Sequence, residues 1–230
     1  MNNGMSILEI LVAMAIGLSI LSIVIINVSQ TSSISKKVIT KQQRLESIFH
    51  TVDTIKSDLT KCGMRLQEAG KQFDLSFFEN SADHFTVVYG TDSEPLISDA
   101  EQGEKVILID RNQRFKQNKR VLIYNLSRGS FEYNEIKKND KGLLTLSDSL
   151  KNSYPWNSPV ILLRQVEYKL YTKQLTLKRK VDRGYFQPLI EEVTDFYVNF
   201  FQESRSVLYK IEVNRKEQIR GYIFLINLVS

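Results

Sequence analysis

Residues 4–21 read GMSILEILVAMAIGLSIL, an apolar run with one carboxylate, Glu9, near its start. No charged residue occurs from position 10 to position 26. Extended to residues 5–28, the run is about 36 Å long as a helix, at roughly 1.5 Å per residue, which is enough to cross a bilayer. The run therefore predicts a transmembrane helix.

Glu9 is the unusual residue of this run. Placing a carboxylate in hydrocarbon costs on the order of 3 kcal/mol on insertion scales, so such a residue marks function and calls for a partner. The first basic side chains are Lys36 and Lys37, so the run itself supplies no basic side chain for Glu9. We expect the partner to come from another helix or from a newly formed amino terminus.

Two simpler interpretations of the run remain open. A cleaved secretory signal has a basic start and a short apolar region, whereas residues 1–3 contain no Lys or Arg. A plain signal anchor explains the length but not Glu9. The run is followed by the basic residues Lys36, Lys37, Lys41 and Arg44. The positive-inside tendency would keep these residues in the cytoplasm. That tendency disagrees with an extracytoplasmic position for the domain after the run.

The run resembles the N-terminus of type IV prepilins and type II secretion pseudopilins. In that pattern a short polar leader ends in glycine, the chain is cut after it, and glutamate is the fifth mature residue. Gly4 would end the leader here, which makes Met5 the first residue and Glu9 the fifth. SILEILVAMAIGL is similar to the TLVELMVALAIGL pattern of PilW-like minor pilins, with Gly17 in register. Met5 replaces the usual phenylalanine, and the absence of proline predicts an unkinked helix.

The resemblance implies cleavage between Gly4 and Met5 by prepilin peptidase and N-methylation of Met5. It also implies that Glu9 pairs with the Met5 amine of a neighbouring subunit. Each charge needs the other in a low dielectric, so the pair would set the axial register between helices. The other implied partners are major and minor pilin subunits, the inner-membrane assembly platform and the lipid bilayer, and no cofactor is implied.

The chain is expected to have four segments. They are a prepilin leader at 1–4, a transmembrane and filament-core helix at 5–28, the extracytoplasmic half of the long helix at 29–70, and a β-rich globular domain at 71–230. An apolar stripe in steps of three and four predicts that one face of the second helical part packs on a sheet. The stripe comprises Leu45, Ile48, Val52, Ile55, Leu59, Cys62 and Leu66.

Cys62 lies on this stripe, which predicts a buried structural thiol rather than a nucleophile. As the single cysteine of the chain, it also excludes an internal disulfide. Gly63 and Gly70 are the places where the helix is expected to end.

From Asp83 on, short runs rich in Val, Ile, Tyr and Phe predict strands, and their short connections predict antiparallel hairpins. Ten strands are expected near HFTVVYG, EKVILID, RVLIYN, FEYNEI, LLTLS, VILLRQVEYKLY, QLTLKRK, DFYVNFFQ, VLYKIEVN and RGYIFLINLV. A second, looser resemblance to PilW-like and J-type pseudopilin domains makes residues 187–193 a turn before a strand. The expected fold class is α+β and type IV pilin-like, with the long helix packed on an antiparallel sheet.

Composition favours assembly over chemistry. The net charge of +5 is spread along the chain, which favours a solvated surface over a nucleic-acid site. His50 and His84 are the only histidines, and no zinc spacing, serine elbow or phosphate loop is present, so we expect no enzyme and no metal centre. One acidic loop is open to two interpretations, calcium binding or simple solvation; its carboxylates are Asp92, Glu94, Asp99, Glu101 and Glu104.

The predicted function is that of a PilW-like minor type IV pilin that takes part in initiating or capping pilus assembly. The globular domain would be extracytoplasmic, on a single-pass inner-membrane helix, before the subunit enters a pilus or pseudopilus. One alternative is a J-type minor pseudopilin of type II secretion. Another is a membrane-anchored extracytoplasmic ligand-binding domain without a filament.

Overall fold

The computed structural model describes residues 7–81, 83–201, 204–215, 217–225 and 227. The chain begins with one long helix, α1 (Ile7–Thr60), followed by a short helix, α2 (Gln67–Phe73). Within these residues the remaining elements are the strands β1 (Phe78–Asn80), β2 (His84–Pro95), β3 (Val106–Leu108), β4 (Arg120–Asn125), β5 (Ser130–Asp140), β6 (Leu143–Leu146), β7 (Pro159–Tyr171), β8 (Thr176–Val181), β9 (Gln187–Ile190), β10 (Val193–Phe201), β11 (Ser206–Val213) and β12 (Glu217–Phe224). The predicted α+β class is confirmed.

The larger sheet is organised around β7. One side of β7 pairs with β2 along most of its length, and the other side pairs first with β4 and then with β8. The main strand order is β1-β2-β7-β4-β5-β6-β3, and β9 extends the branch formed by β8. Strands β10, β11 and β12 form a second sheet. Each pairing between these strands is antiparallel, as the short connections predict.

The ten predicted strands correspond to β2 through β8 and β10 through β12. The prediction missed β1 and β9, which have three and four residues and carry little pattern of their own. Residues 187–193 were expected to be a turn. They begin instead as strand β9, and the reversal comes at Glu192, whose φ is 62°.

Helix α1 ends at Thr60, so the helical segment expected at 29–70 is divided into α1 and α2. Gly63 and Arg65 follow with φ of 70° and 61°, a left-handed conformation that a right-handed helix does not contain. Gly63 N donates to Val88 O at 2.9 Å, and Gly90 N donates to Met64 O at 2.8 Å. The chain therefore passes along the edge of β2 between the two helices.

The predicted apolar stripe is exposed at Leu45 (37 %) and buried from Ile48 onward. Its buried members, each at most 5 % exposed, are Ile48, Val52, Ile55, Leu59, Cys62 and Leu66. Cys62 Sγ donates to Phe77 O at 3.2 Å. Burial raises the pKa of the Cys62 thiol to about 12, although a hydrogen bond from the backbone of Val88 opposes the rise. The prediction of a buried structural thiol is confirmed.

The two helices contact opposite faces of the larger sheet. Because side chains alternate along a strand, Leu162 and Tyr168 share one face of β7, and Val121, the register partner of Leu162, also lies on that face. Tyr168 bonds to α1 through Asp58. Tyr124 lies on the other face of β4, where its hydroxyl donates to Glu68 of α2 at 3.4 Å.

An apolar cluster fills the part of the first face that includes Val121 and Leu162. Its members are buried residues of β3 to β7, of the connections between them and of the connection from β2 to β3: Leu96, Ala100, Ile107, Ile109, Phe115, Val121, Ile123, Ile136, Leu144, Leu146, Leu150, Tyr154, Val160 and Leu162. The β5–β6 hairpin beside it turns through Lys141 and Gly142, whose φ values are 53° and 102°. Positive φ at both central residues is what a two-residue hairpin turn requires.

Candidate functional site

The N-terminal part of α1 contains the one predicted site residue that the structure describes, Glu9. Gly4 and Met5 lie outside the described residues, so cleavage between them and methylation of Met5 stay predictions. Glu9 is in the first turn of α1 and is exposed. With Val12, Ala13 and Ile16 it lines one shallow groove on the helix, as the 3.6-residue period requires.

The side chains that follow Glu9 are mainly apolar, and they are exposed around the whole helix. The large ones are Ile10, Leu11, Val12, Met14, Ile16, Leu18, Ile20, Leu21, Ile23, Val24, Ile25, Ile26 and Val28. Helix α1 is long and apolar enough to cross a membrane, judged by length and composition. A helix that is apolar on all sides and exposed within the part of the chain that the structure describes is typical of a membrane span.

The hydroxyl groups in this run are bonded within the helix. Ser19 Oγ donates to Ala15 O, and Ser22 Oγ donates to Leu18 O, each at 2.8 Å. Hydrocarbon offers no partner for polar groups, so internal bonds of this kind let serine occupy a membrane helix. A β-carbon built on Gly17 would meet nothing within 4 Å beyond its own helix neighbours. Packing within the described chain therefore does not require glycine at that position.

Exposed apolar side chains continue beyond the membrane-length run. Ile34, Val38, Ile39 and Phe49 are 62 %, 57 %, 53 % and 64 % exposed. They alternate with polar residues such as Thr40, whose hydroxyl donates to Lys36 O at 2.9 Å. This part of α1 thus combines a polar surface with unburied aliphatic and aromatic groups.

A buried charged network connects the last turns of α1 to the larger sheet. Asp58 has a side chain 4 % exposed, and its Oδ2 accepts from the Tyr168 hydroxyl at 2.5 Å and from Arg179 Nε at 2.8 Å. Burial raises the pKa of Tyr168, and the Asp58 carboxylate adds to the rise. The rings of Tyr168 and Phe85 stack at 4.6 Å.

This network is not predicted from the sequence, although the sequence contains one signal of it. Asp58 belongs to the same helix face as the stripe residues Ile55, Leu59 and Cys62. A carboxylate on a buried helix face needs a partner. The identity of that partner is not visible locally, because Tyr168 and Arg179 belong to β7 and β8.

The five carboxylates of the predicted acidic loop do not converge, and two of them, Asp92 and Glu94, lie in strand β2. Asp92 accepts from Arg65 at 3.2 Å and from Asn112 Nδ2 at 3.1 Å, and the same Asn112 nitrogen donates to Glu94 at 2.6 Å. Burial acts to raise the pKa of Asp92, but the bonds from Asn112 and the Ser93 backbone and the charge of Arg114 together lower it.

The other three carboxylates of that loop bond elsewhere. Asp99 accepts from the Trp156 backbone N at 2.6 Å, Glu101 accepts from Ser153 at 2.7 Å, and Glu104 accepts from the Glu101 backbone N at 3.1 Å. No group of three His, Cys, Asp or Glu side chains arranged for a metal ion occurs among the residues described. The geometry therefore lends no support to calcium binding by this loop.

The two histidines lie on separate elements. His50 belongs to α1, and His84 begins β2, where its Nδ1 is 3.1 Å from Asp83 Oδ1. The hydrogen bond with His84 is the main reason that the pKa of Asp83 is lowered.

The fold and the N-terminal helix together define a class of protein. It is an α+β protein whose long apolar N-terminal helix could anchor it in a membrane and is followed by antiparallel sheets. This architecture is compatible with a pilin-like fold. Comparisons with protein-family models and with curated proteins found no match.

Proposed function

We infer that this chain is a PilW-like minor type IV pilin that is cleaved after Gly4 by prepilin peptidase and takes part in initiating or capping pilus assembly. One observation carries the proposal: helix α1 has 54 residues, more than twice the number needed to cross a bilayer. It begins with an exposed apolar run that carries Glu9, and its last turns pack on an antiparallel sheet through Asp58.

The part of α1 beyond the membrane-length run supports a filament subunit over a plain anchor. A transmembrane anchor needs about 20 residues, whereas the exposed apolar side chains continue to Phe49. Polar helices without tertiary packing are marginal in water, and exposed apolar surface marks an interaction site. Ile34, Val38 and Phe49 would be covered by the helices of neighbouring subunits in a filament core.

In this proposal Glu9 sets the position of the subunit along the filament. Cleavage after Gly4 would create an amine on Met5, and Glu9 of an incoming subunit would pair with the amine of its neighbour. A carboxylate in hydrocarbon is costly unless it is neutralised, so only one axial offset between two apolar helices would bring the charges together. The remaining apolar contacts permit many offsets.

Filament isolation tests the function. We expect the chain to be recovered in sheared surface pili together with major pilin subunits, at low abundance, and piliation to fall when its gene is deleted. Normal piliation with a loss of type II secretion would assign the chain to the J-type pseudopilins instead. Retention in the inner membrane, with both processes intact in the deletion strain, would favour a membrane-anchored ligand-binding domain and contradict the proposal.

A further inference from the structure

A polar pocket lies between residues 111–117 and the β5–β6 hairpin, on the apolar cluster side of the domain. Its volume is about 390 Å³. Four cationic side chains line it, those of Arg111, Lys116, Lys138 and Lys141. Among the described residues, the rest of the lining consists of carboxamides, Gly142 and Phe115 and includes no carboxylate. The pocket therefore offers many hydrogen-bond donors around concentrated positive charge.

Hydrogen bonds hold the two walls of this pocket together. Asn139 Nδ2 donates to the backbone oxygens of Asn112 and Phe115 at 3.2 and 2.7 Å, and the Gly142 backbone N donates to Asn139 Oδ1 at 3.0 Å. Phe115 is fully buried in the apolar cluster, and this burial fixes the loop of residues 111–117 to the domain. The walls are thus fixed by residues other than the lysines, which leaves the cationic side chains for a ligand.

The positive charge in the pocket is poorly compensated. Arg111, Lys116 and Lys141 form no ion pair within the part of the chain that the structure describes. Lys138 is 3.7 Å from Asp140, but both side chains are more than half exposed, so this pair is weak.

A second basic pocket of about 410 Å³ shares Lys116 and includes Arg114, Lys119 and Arg164. There Lys119 is paired with Asp182 at 2.6 Å, and Arg114 lies 3.4 Å from Asp92. Carboxylates therefore neutralise more of the positive charge in the second pocket, and the first pocket is the better site for an anion.

We propose that the first pocket binds a phosphate group, either free or carried by a polymer. Lysine ammonium groups act as point charges that can converge on a phosphate from several sides, and arginine adds a planar pair of donors. Phe115, the one aromatic side chain that the structure describes in the lining, is buried and offers no ring face for stacking a base. Recognition would therefore be of the phosphate alone, a binding activity separate from filament assembly.

Calorimetric titration of the full-length protein in non-ionic detergent with inorganic pyrophosphate tests this site. The double variant Lys116→Gln/Lys141→Gln removes two ammonium groups that form no hydrogen bond or ion pair with the residues that the structure describes. We expect its affinity for pyrophosphate to fall at least tenfold. The matched control Lys56→Gln/Lys173→Gln changes net charge equally at two exposed positions away from the pocket and should bind like the unmodified protein. Near-ultraviolet circular dichroism of all three proteins should be identical.

A parallel titration with a short DNA duplex distinguishes the two sources of phosphate. Loss of pyrophosphate binding alone in the pocket variant assigns the site to a free phosphate ligand, and loss of duplex binding alone assigns it to a polymeric one. The proposal is overturned if neither probe binds the unmodified protein. It is also overturned if the pocket variant and the control variant weaken binding equally, because bulk charge would then explain the effect.

Discussion

Replacing Glu9 with leucine is expected to leave the protein in the membrane and to reduce its recovery in sheared filaments at least tenfold. Leucine makes the apolar run uninterrupted, so insertion should not suffer. The Met5 amine of the neighbouring subunit would then be buried without a counter-charge, which costs several kcal/mol. Immunoblots of the membrane and filament fractions, normalised to total protein, give the two quantities.

Two further variants show whether charge is the cause. Glu9→Gln keeps a polar side chain of similar shape and should also fail to enter filaments. Glu46→Gln removes a carboxylate from an exposed position of the same helix and should behave like the unmodified protein. Filament recovery of Glu9→Leu at the unmodified level would refute the role given to this carboxylate.

The second large effect is expected at Asp58. Asp58→Ala leaves the buried Tyr168 hydroxyl without its acceptor and Arg179, whose side chain is only 26 % exposed, without its counter-charge. Losing one member of such a pair costs about 3 kcal/mol of unfolding free energy. Urea denaturation of the full chain in non-ionic detergent, followed by near-ultraviolet circular dichroism, measures the change.

Asp53→Ala is the matched control, since Asp53 is exposed on the same helix and its loss should change the unfolding free energy by less than about 0.5 kcal/mol. Asp58→Asn retains an acceptor for Tyr168 and should fall between the two. Equal urea midpoints for Asp58→Ala and Asp53→Ala would show that the network contributes nothing to stability.

The sequence predicts local features of this fold well because they depend on short-range periodicity. The stripe from Val52 to Leu66 has the spacing of a buried helix face, and the alternation in β2 and β7 has the spacing of strands, so both were found. The hairpin turn at Gly142 follows from the chemistry of its own residues. Each of these features is determined within a few positions.

The features that the sequence did not predict depend on residues far apart in the chain. The branch at β7, where β4 and β8 share one side, is set by which strands meet and not by their composition. Strands β1 and β9 are too short to show alternation and exist because a neighbouring strand pairs with them. Helix α2 follows a left-handed turn at Arg65, a conformation that non-glycine residues rarely adopt.

The sites divide in the same way. Glu9 can be recognised from the sequence because the apolar residues around it are its neighbours in the chain. The role of Asp58 depends on Arg179, which lies 121 positions further along the chain. The spread of charge along the chain predicted a solvated surface, and residues 111–120 (RNQRFKQNKR) are one basic part of it. Only the β5–β6 hairpin, which brings Lys138 and Lys141 beside Lys116, shows that part of this charge lines a pocket.

Intact-mass spectrometry of the protein purified from its native membrane determines whether Met5 is the mature amino terminus. We expect a chain that begins at Met5 and carries one methyl group on its amine, which is the cation offered to Glu9 of a neighbouring subunit. A mature chain that retains Gly4 and the residues before it would refute this pairing, because its amine would then lie four residues further from Glu9 along the chain.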